Sequence, residues 1–212
     1  MIKQIKHSIM LQSREKKYCE FISLTRPSKD STLLDVGVAD KEYSPFDNYL
    51  EKKYPYPNKI TALSIHPLNQ FREKYPMICA FTYKGGKFPF REKQFDIVFS
   101  NAVIEHVGDF DKQLYFIKEL NRVSQQFYFT TPAKEFPIEV HTLYPFIHWL
   151  NKDIFNKTVS FLGKGWAAGS YMNLLRKKDL LKLMTSLRIA EYKIMTHRLG
   201  PFPMQYAVWG KG

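Results

Sequence analysis

Ser31-Thr32-Leu33-Leu34-Asp35-Val36-Gly37 and Phe95-Asp96-Ile97-Val98-Phe99-Ser100-Asn101-Ala102-Val103-Ile104-Glu105-His106-Val107 are two apolar runs, each ending where small or polar residues take over. Both read as strands, at Thr32–Val36 and Phe95–Ser100. Their unbroken apolar character suits a sheet covered on both faces rather than one washed by solvent. The first run feeds a glycine turn expected to open a helix. That is how an open α/β sheet offers a nucleotide-like ligand the carboxyl ends of its strands.

Working outward, strands and helical segments alternate. A short helix is expected over Pro45–Lys53, with Ser44 as its N-cap and Pro45 at its first position. Lys59–Ile65 is the second strand and Pro67–Lys74 a helical turn. Met77–Phe81 is the third strand, with Cys79 expected as an inert core thiol, and the Gly85-Gly86 loop follows. After the fourth strand, Leu114, Ile117, Leu120 and Val123 recur at helical spacing. Gln126–Thr131 is the fifth strand, stopped by Pro132. Such alternation implies a parallel, doubly wound sheet.

The two ends depart from this rhythm. Ile2–Leu24 carries Ile5, Ile9, Tyr18, Phe21 and Ile22 at helical spacing and is halted by Thr25-Arg26-Pro27. It is expected either to cap a ligand cleft or to pack on the sheet edge. Residues 133–170 are rich in aromatics, Pro and His. They are too long and too apolar for a passive connector, so a lid or substrate-binding insertion is expected. Arg176–Leu187 returns to helical periodicity. Ile189–Thr196 and Gln205–Trp209, joined through Gly200-Pro201, read as a closing antiparallel pair.

The 212 residues suffice for one domain with a full sheet core, and 32 basic against 20 acidic residues give a net charge of +12. This excess suits anionic partners, although the lysines and arginines are scattered along the chain, as on a merely solvated basic surface. Two cysteines, Cys19 and Cys79, argue against a disulfide framework or a zinc site, and no metal is expected. A cytoplasmic setting is expected from the lack of a secretory pattern and of any apolar stretch near the roughly 20 residues a membrane helix needs.

From about Leu33 to Phe129, and more weakly toward the C-terminus, these segments resemble the class I S-adenosylmethionine-dependent methyltransferases, in particular the methyltransferase type 11 group. The fourth-strand run resembles that group's signature over its whole length. The resemblance implies a Rossmann-like, mostly parallel seven-stranded sheet with an antiparallel C-terminal hairpin and a lid after strand five. Residues 1–212 would form one domain, with 1–28 a helical cap and 133–170 the lid. The cofactor implied is S-adenosylmethionine. Asp35, Gly37, Val38 and Ala39 would lie in its first turn, with Asp40 beside its ammonium group. Ser64 and Ile65 would lie at the second strand end, Lys84 and Gly85 beyond strand three, and Asn101 and Ala102 at the end of strand four.

Several positions depart from the family pattern. Ala39 and Lys41 stand where glycines are commonest. Ser64 replaces the carboxylate that bonds both ribose hydroxyls, and a hydroxyl cannot make that charged bidentate contact. Lys84 replaces an acid that meets the adenine amine. Weaker cofactor binding is expected. His141, following strand five near Glu139, is the expected general base, with His106 beside Glu105 as the second catalytic candidate. The expected activity is methyl transfer to an oxygen or nitrogen of a small molecule or glycan. A methyltransferase-like binding or scaffold subunit with a degenerate cofactor site is the alternative. The chain has neither an Asn-Pro-Pro-Tyr turn nor a Pro-Cys pair after strand four, which argues against nucleic acid as the acceptor.

Overall fold

The computed structural model describes residues 2–138, 144–165 and 172–212. Its seven strands lie in the order β3-β2-β1-β4-β5-β7-β6. They are β1 (Leu33–Val36), β2 (Ile60–Ser64), β3 (Cys79–Thr82), β4 (Phe95–Asn101), β5 (Ser124–Pro132), β6 (Glu191–Leu199) and β7 (Phe202–Lys211). The helices are α1 (Ile2–Thr25), α2 (Tyr49–Lys53), α3 (Asn69–Lys74), α4 (Phe110–Val123), α5 (Lys152–Phe161) and α6 (Lys177–Ser186). The sheet is Rossmann-like and mostly parallel. The chain leaves β1 outward to β3, then returns to place β4 on the other side of β1. That reversal is the point at which open α/β sheets bind ligands.

Two compact units are distinguishable, residues up to 100 with 120–128, and residues 101–119 with 129–210. In the first, β1 pairs in parallel with β2 from Leu33↔Ile60 to Val36↔Leu63, and with β4 from Leu33↔Ile97 to Val36↔Ser100. All four residues of β1 are buried, as its apolar run requires of a strand with neighbours on both sides. β3 pairs only with β2, so it is the sheet's edge. Cys79 is therefore exposed and not a core thiol, and Cys19 is exposed as well.

In this unit α1 packs through Phe21, which is fully buried. Its ring meets Phe99 edge-on at 5.0 Å and Tyr128 at 5.7 Å, while Phe99 and Tyr128 stack at 5.8 Å. Tyr128 donates its hydroxyl to Glu20 at 2.8 Å, and Gln126 donates to the Thr25 carbonyl at 2.9 Å. The helix thus lies over β4 and the first half of β5, not along the sheet's edge.

The loop after β1 differs from the expected one. The helix foreseen over Pro45–Lys53 is confined to Tyr49–Lys53, and residues 37–48 are irregular. Side chains hold that loop: Ser44 Oγ accepts from the Phe46 amide, and Asp47 accepts from the amides of Tyr43 and Ser44. Such short polar side chains satisfy backbone donors locally and compete with helix formation.

In the second unit, β6 and β7 are sheet neighbours joined through Gly200 and Pro201, so the hairpin is antiparallel. Gly200 sits at φ 59°, a left-handed turn position. The segment after β5 has its own helix, α5, whose N-cap Asn151 accepts from the Ile154 amide at 2.9 Å. Among the described residues no helix is long and apolar enough to cross a membrane.

Candidate functional site

In the first unit, the end of β1 is built around a buried carboxyl pair. Asp35 and Glu51, from α2, are both buried. Burial pushes Asp35 well above the ordinary carboxyl range, and Glu51 beside it adds to the rise, while Arg14 of α1 opposes it. Burial likewise pushes Glu51 up to about 7. No nitrogen or hydroxyl donor in good geometry reaches the Glu51 oxygens among the described residues. Two ionised carboxylates would repel there, and one shared proton, donated by one carboxyl to the other, removes the repulsion. Arg14 is itself half-buried, and desolvation lowers its pKa against the pull of Asp47 and Asp35.

Gly37, the next residue but one, is exposed at φ 99° and donates its amide to the Leu63 carbonyl at 2.8 Å. A side chain at that φ would be strained, so the turn holds its backbone bare. Val38 is buried. Ala39 has both backbone groups committed. Its amide donates to Asn48 Oδ1 at 2.9 Å, and its carbonyl accepts from Asn48 Nδ2 at 2.8 Å. A ligand can still meet its methyl group and the second lone pair of its carbonyl. Asp40 accepts from the Phe71 amide at 3.1 Å, which ties it to α3.

Ser64 ends β2 buried, its Oγ accepting from the His66 amide at 3.2 Å and its carbonyl from the Tyr83 amide at 3.0 Å. The Ser64 hydroxyl keeps its proton for another acceptor. Ile65 and His66 are exposed beside it. Lys84 is exposed, and Gly85, at φ 86°, has nothing within 4 Å of where a Cβ would lie. Ser100 donates its hydroxyl to the Val36 carbonyl at 3.0 Å, fastening the end of β4 to that of β1.

In the second unit, the residues following β4 form a tight polar knot. Asn101 accepts from the Thr130 hydroxyl at 2.9 Å, and Ala102 donates its amide to the Thr130 carbonyl at 2.9 Å. Ala102 has φ 57°, a left-handed conformation that a residue with a Cβ holds only when its surroundings compel it. Glu105 is fully buried, accepts from the Thr131 hydroxyl at 3.1 Å, and lies 3.9 Å from His106 Nε2. Its carbonyl accepts from the Asn173 amide at 2.7 Å, and Gln113 Nε2 donates to the carbonyls of Ile104 and Asn173.

Asn173 also lines a cavity of about 170 Å³ with Lys134, His148, Leu150, Phe155, Met172 and Leu174. The Lys134 carbonyl is held from two sides, by His148 Nε2 at 3.1 Å and by Trp149 Nε1, which donates to it at 2.8 Å. The cavity therefore lies just past β5, hydrogen-bonded through Asn173 to the turn that carries Glu105 and His106. His141 and Glu139 lie outside the described residues. Among the described residues no group of three His, Cys, Asp or Glu could hold a metal ion.

Residues 43–126, from the loop after β1 to the start of β5, match a family described as a methyltransferase domain. Over that stretch, less than half of the chain, the sequence is similar to a methyltransferase domain. Several solved structures share the fold. One is a S-adenosylmethionine-dependent methyltransferase from Methanosarcina mazei, 15% identical, with TM-score 0.56 and coverage of 90% of this chain and 96% of that one. Another from Aquifex aeolicus has 15% identity, TM-score 0.56 and coverage of 90% and 87%. A putative methyltransferase in complex with the Trm112 methyltransferase activator from Haloferax volcanii has 10% identity, TM-score 0.59 and coverage of 97% and 93%. At such identities the likeness is one of fold. No curated protein matches the chain.

The residues singled out from the sequence fall into two sets. Asp35, Gly37, Val38, Ala39 and Ser64 gather at the ends of β1 and β2, while Asn101, Ala102, Glu105 and His106 belong to the knot after β4. Glu51, Arg14, Gln113, Lys134 and Asn173 were not foreseen from the sequence. Glu51 and Arg14 carry no local signal, since an acid or base in a short amphipathic segment reads as solvent-facing. Asn173 lies far along the chain from the motif it supports.

Proposed function

We propose that the chain transfers a methyl group from S-adenosylmethionine to an oxygen or nitrogen of a small molecule or glycan. The observation that carries this reading is the mixed cavity beside the β4 turn. It has polar groups from Lys134, His148 and Asn173 and apolar walls from Leu150, Phe155, Met172 and Leu174. A small acceptor needs both kinds of wall, one to orient it and one to exclude water.

The cofactor, when bound, supplies an electrophilic methyl on its sulfonium. Gly37, Val38, Ser64 and Ile65 and the Ala39 methyl group fit a ligand held mainly by backbone and apolar contacts. The sequence assigns Asn101 and Ala102 to the same role. Lys84 and Gly85, both exposed, offer no acid to an adenine amine. His106, with the Glu105 carboxylate near its ring, would take the proton from the acceptor as the methyl arrives. His141 is the other residue proposed for that step.

A second reading, a binding subunit that has lost its cofactor, is favoured by Ser64 and by the committed backbone of Ala39. The two separate in one assay. Methyl-tritiated S-adenosylmethionine is incubated with the chain and with fractionated small metabolites and glycans. Transfer of label into one fraction, reduced about 10²-fold or more by His106→Ala or His141→Ala, supports catalysis with that residue as base. No binding of the cofactor, and no label in any fraction, supports the second reading.

A further inference from the structure

The helix α5 has two apolar faces, and the fold uses only one. Val159 is fully buried and Phe155 lines the cavity. Ile154 and Phe161, seven residues apart and so on a common helical face, are 49% and 90% exposed. Lys157 falls between them on that same side, three residues from one and four from the other. The preceding turn adds three more apolar groups. Phe146 and Trp149 meet edge-on at 5.0 Å with both rings about half exposed, and Leu150 follows them, also exposed. The hydrogen bond from Trp149 to the Lys134 carbonyl fixes that ring in place.

Five large apolar side chains in one stretch of 16 residues are unusual on a soluble surface, where exposed apolar groups are normally scattered. The stretch is too small for a second copy, because a stable complex takes about 20–30 residues from each side. Its charge points elsewhere. Residues 144–165 hold Lys152, Lys157 and Lys164 against Asp153, within a chain of net charge +12. Phe146, Trp149 and Leu150 in the turn, with Ile154 and Phe161 on the helix and Lys157 between those two, give a mixture of aromatic, aliphatic and basic side chains of the kind that rests at the boundary between headgroups and acyl chains. Anionic headgroups attract the lysines.

We propose that residues 146–161 form a docking surface for an anionic lipid bilayer. Leu150 belongs both to this surface and to the cavity wall, so a bilayer that takes the surface meets the cavity. Docking does not depend on the methyl-transfer reading and is tested without it.

The full chain is sedimented with vesicles of phosphatidylcholine alone and with vesicles that also contain phosphatidylglycerol. It is expected to sediment with the second kind only, and to be released by raised salt. Ile154→Ser with Phe161→Ser, both at exposed positions, should weaken partitioning about tenfold or more. Lys157→Glu, which reverses one charge, should weaken it about fivefold or more. A wild-type chain that stays in solution with anionic vesicles overturns the proposal. Sedimentation unchanged by both variants also overturns it, assigning any binding to general surface charge. Concentration-dependent dimerisation abolished by the double serine variant would give the surface to a second copy, and overturns it too.

Discussion

The buried carboxyls at the end of β1 are not a passive feature of the turn. Asp35 and Glu51 both hold protons more tightly in the folded chain than at their ordinary values of 3.8 and 4.5. The stabilisation is complete below those values and is lost as pH rises through about 7, where Glu51 titrates. Glu42 has the opposite sign. Partial burial pushes it up, but hydrogen bonds from Lys52, Lys74 and Tyr75 outweigh that and bring it to about 2. The Nζ atoms of Lys52 and Lys74 lie 2.8 and 2.5 Å from it, and the Tyr75 hydroxyl donates at 2.6 Å. Its contribution is present above 4.5 and is lost as pH falls toward about 2. Discounted for solvent screening it is worth on the order of 1–2 kcal/mol. Thermal melts across pH should therefore show a maximum between about pH 5 and 6. Glu51→Gln should flatten the alkaline limb and Glu42→Gln the acid limb, whereas parallel curves for wild type and variants would remove both assignments. At this scale the sequence was partly legible. Asp35 and Gly37 stand out because a strand ending in a glycine turn is a local pattern. The pairing of Asp35 with Glu51 is not, since it depends on how a short helix turns back over the strand. Ser64 was legible as a departure, and its test is direct. Ser64→Asp would offer charge-assisted bonds to both ribose hydroxyls, and should tighten S-adenosylhomocysteine binding about tenfold or more. Unchanged or weaker binding would place the ribose elsewhere.

Among the elements, the long apolar or amphipathic ones were the most readable. β1, β4, β5 and α4 follow from runs and periodicities that only one arrangement can bury. α1 was legible as a helix, but not its seat, because two packings suited its mixed face equally. The seat is decided by one ring. Phe21 closes a three-ring cluster with Phe99 and Tyr128, and no other apolar residue of α1 described here is fully buried. Phe21→Ala should cost about 3–5 kcal/mol in denaturant unfolding. A loss below about 1 kcal/mol would mean that the helix is held by its polar contacts instead. The elements misread were short ones. The helix after Ser44 shrinks to α2 because Ser44, Asp47 and Asn48 bond the loop's own amides, a competition that propensity does not reveal. Cys79 was misplaced because an apolar edge strand looks like a central one until its neighbours are known.

For the whole molecule, the topology was the most legible property and the chemistry the least. Strands separated by helical segments fix a doubly wound sheet with few alternatives, and β1 does lie between β2 and β4. The cavity past β5 was not legible as a site, since its lining joins Lys134 and His148 to the distant Asn173. The charge of +12 is likewise spread evenly along the chain, so no segment of the sequence marks a partner by charge. Everything about methyl transfer rests on one binding event at the turn after β1. Isothermal titration of the chain with S-adenosylhomocysteine tests it most directly, alongside Gly37→Val, which places a branched side chain where φ is 99°. The expected result is saturable binding at one site by the wild type, weakened about tenfold or more by Gly37→Val in a variant that still melts cooperatively. A wild-type chain that releases no binding heat and shows no shift in melting temperature at millimolar ligand would contradict the methyltransferase account.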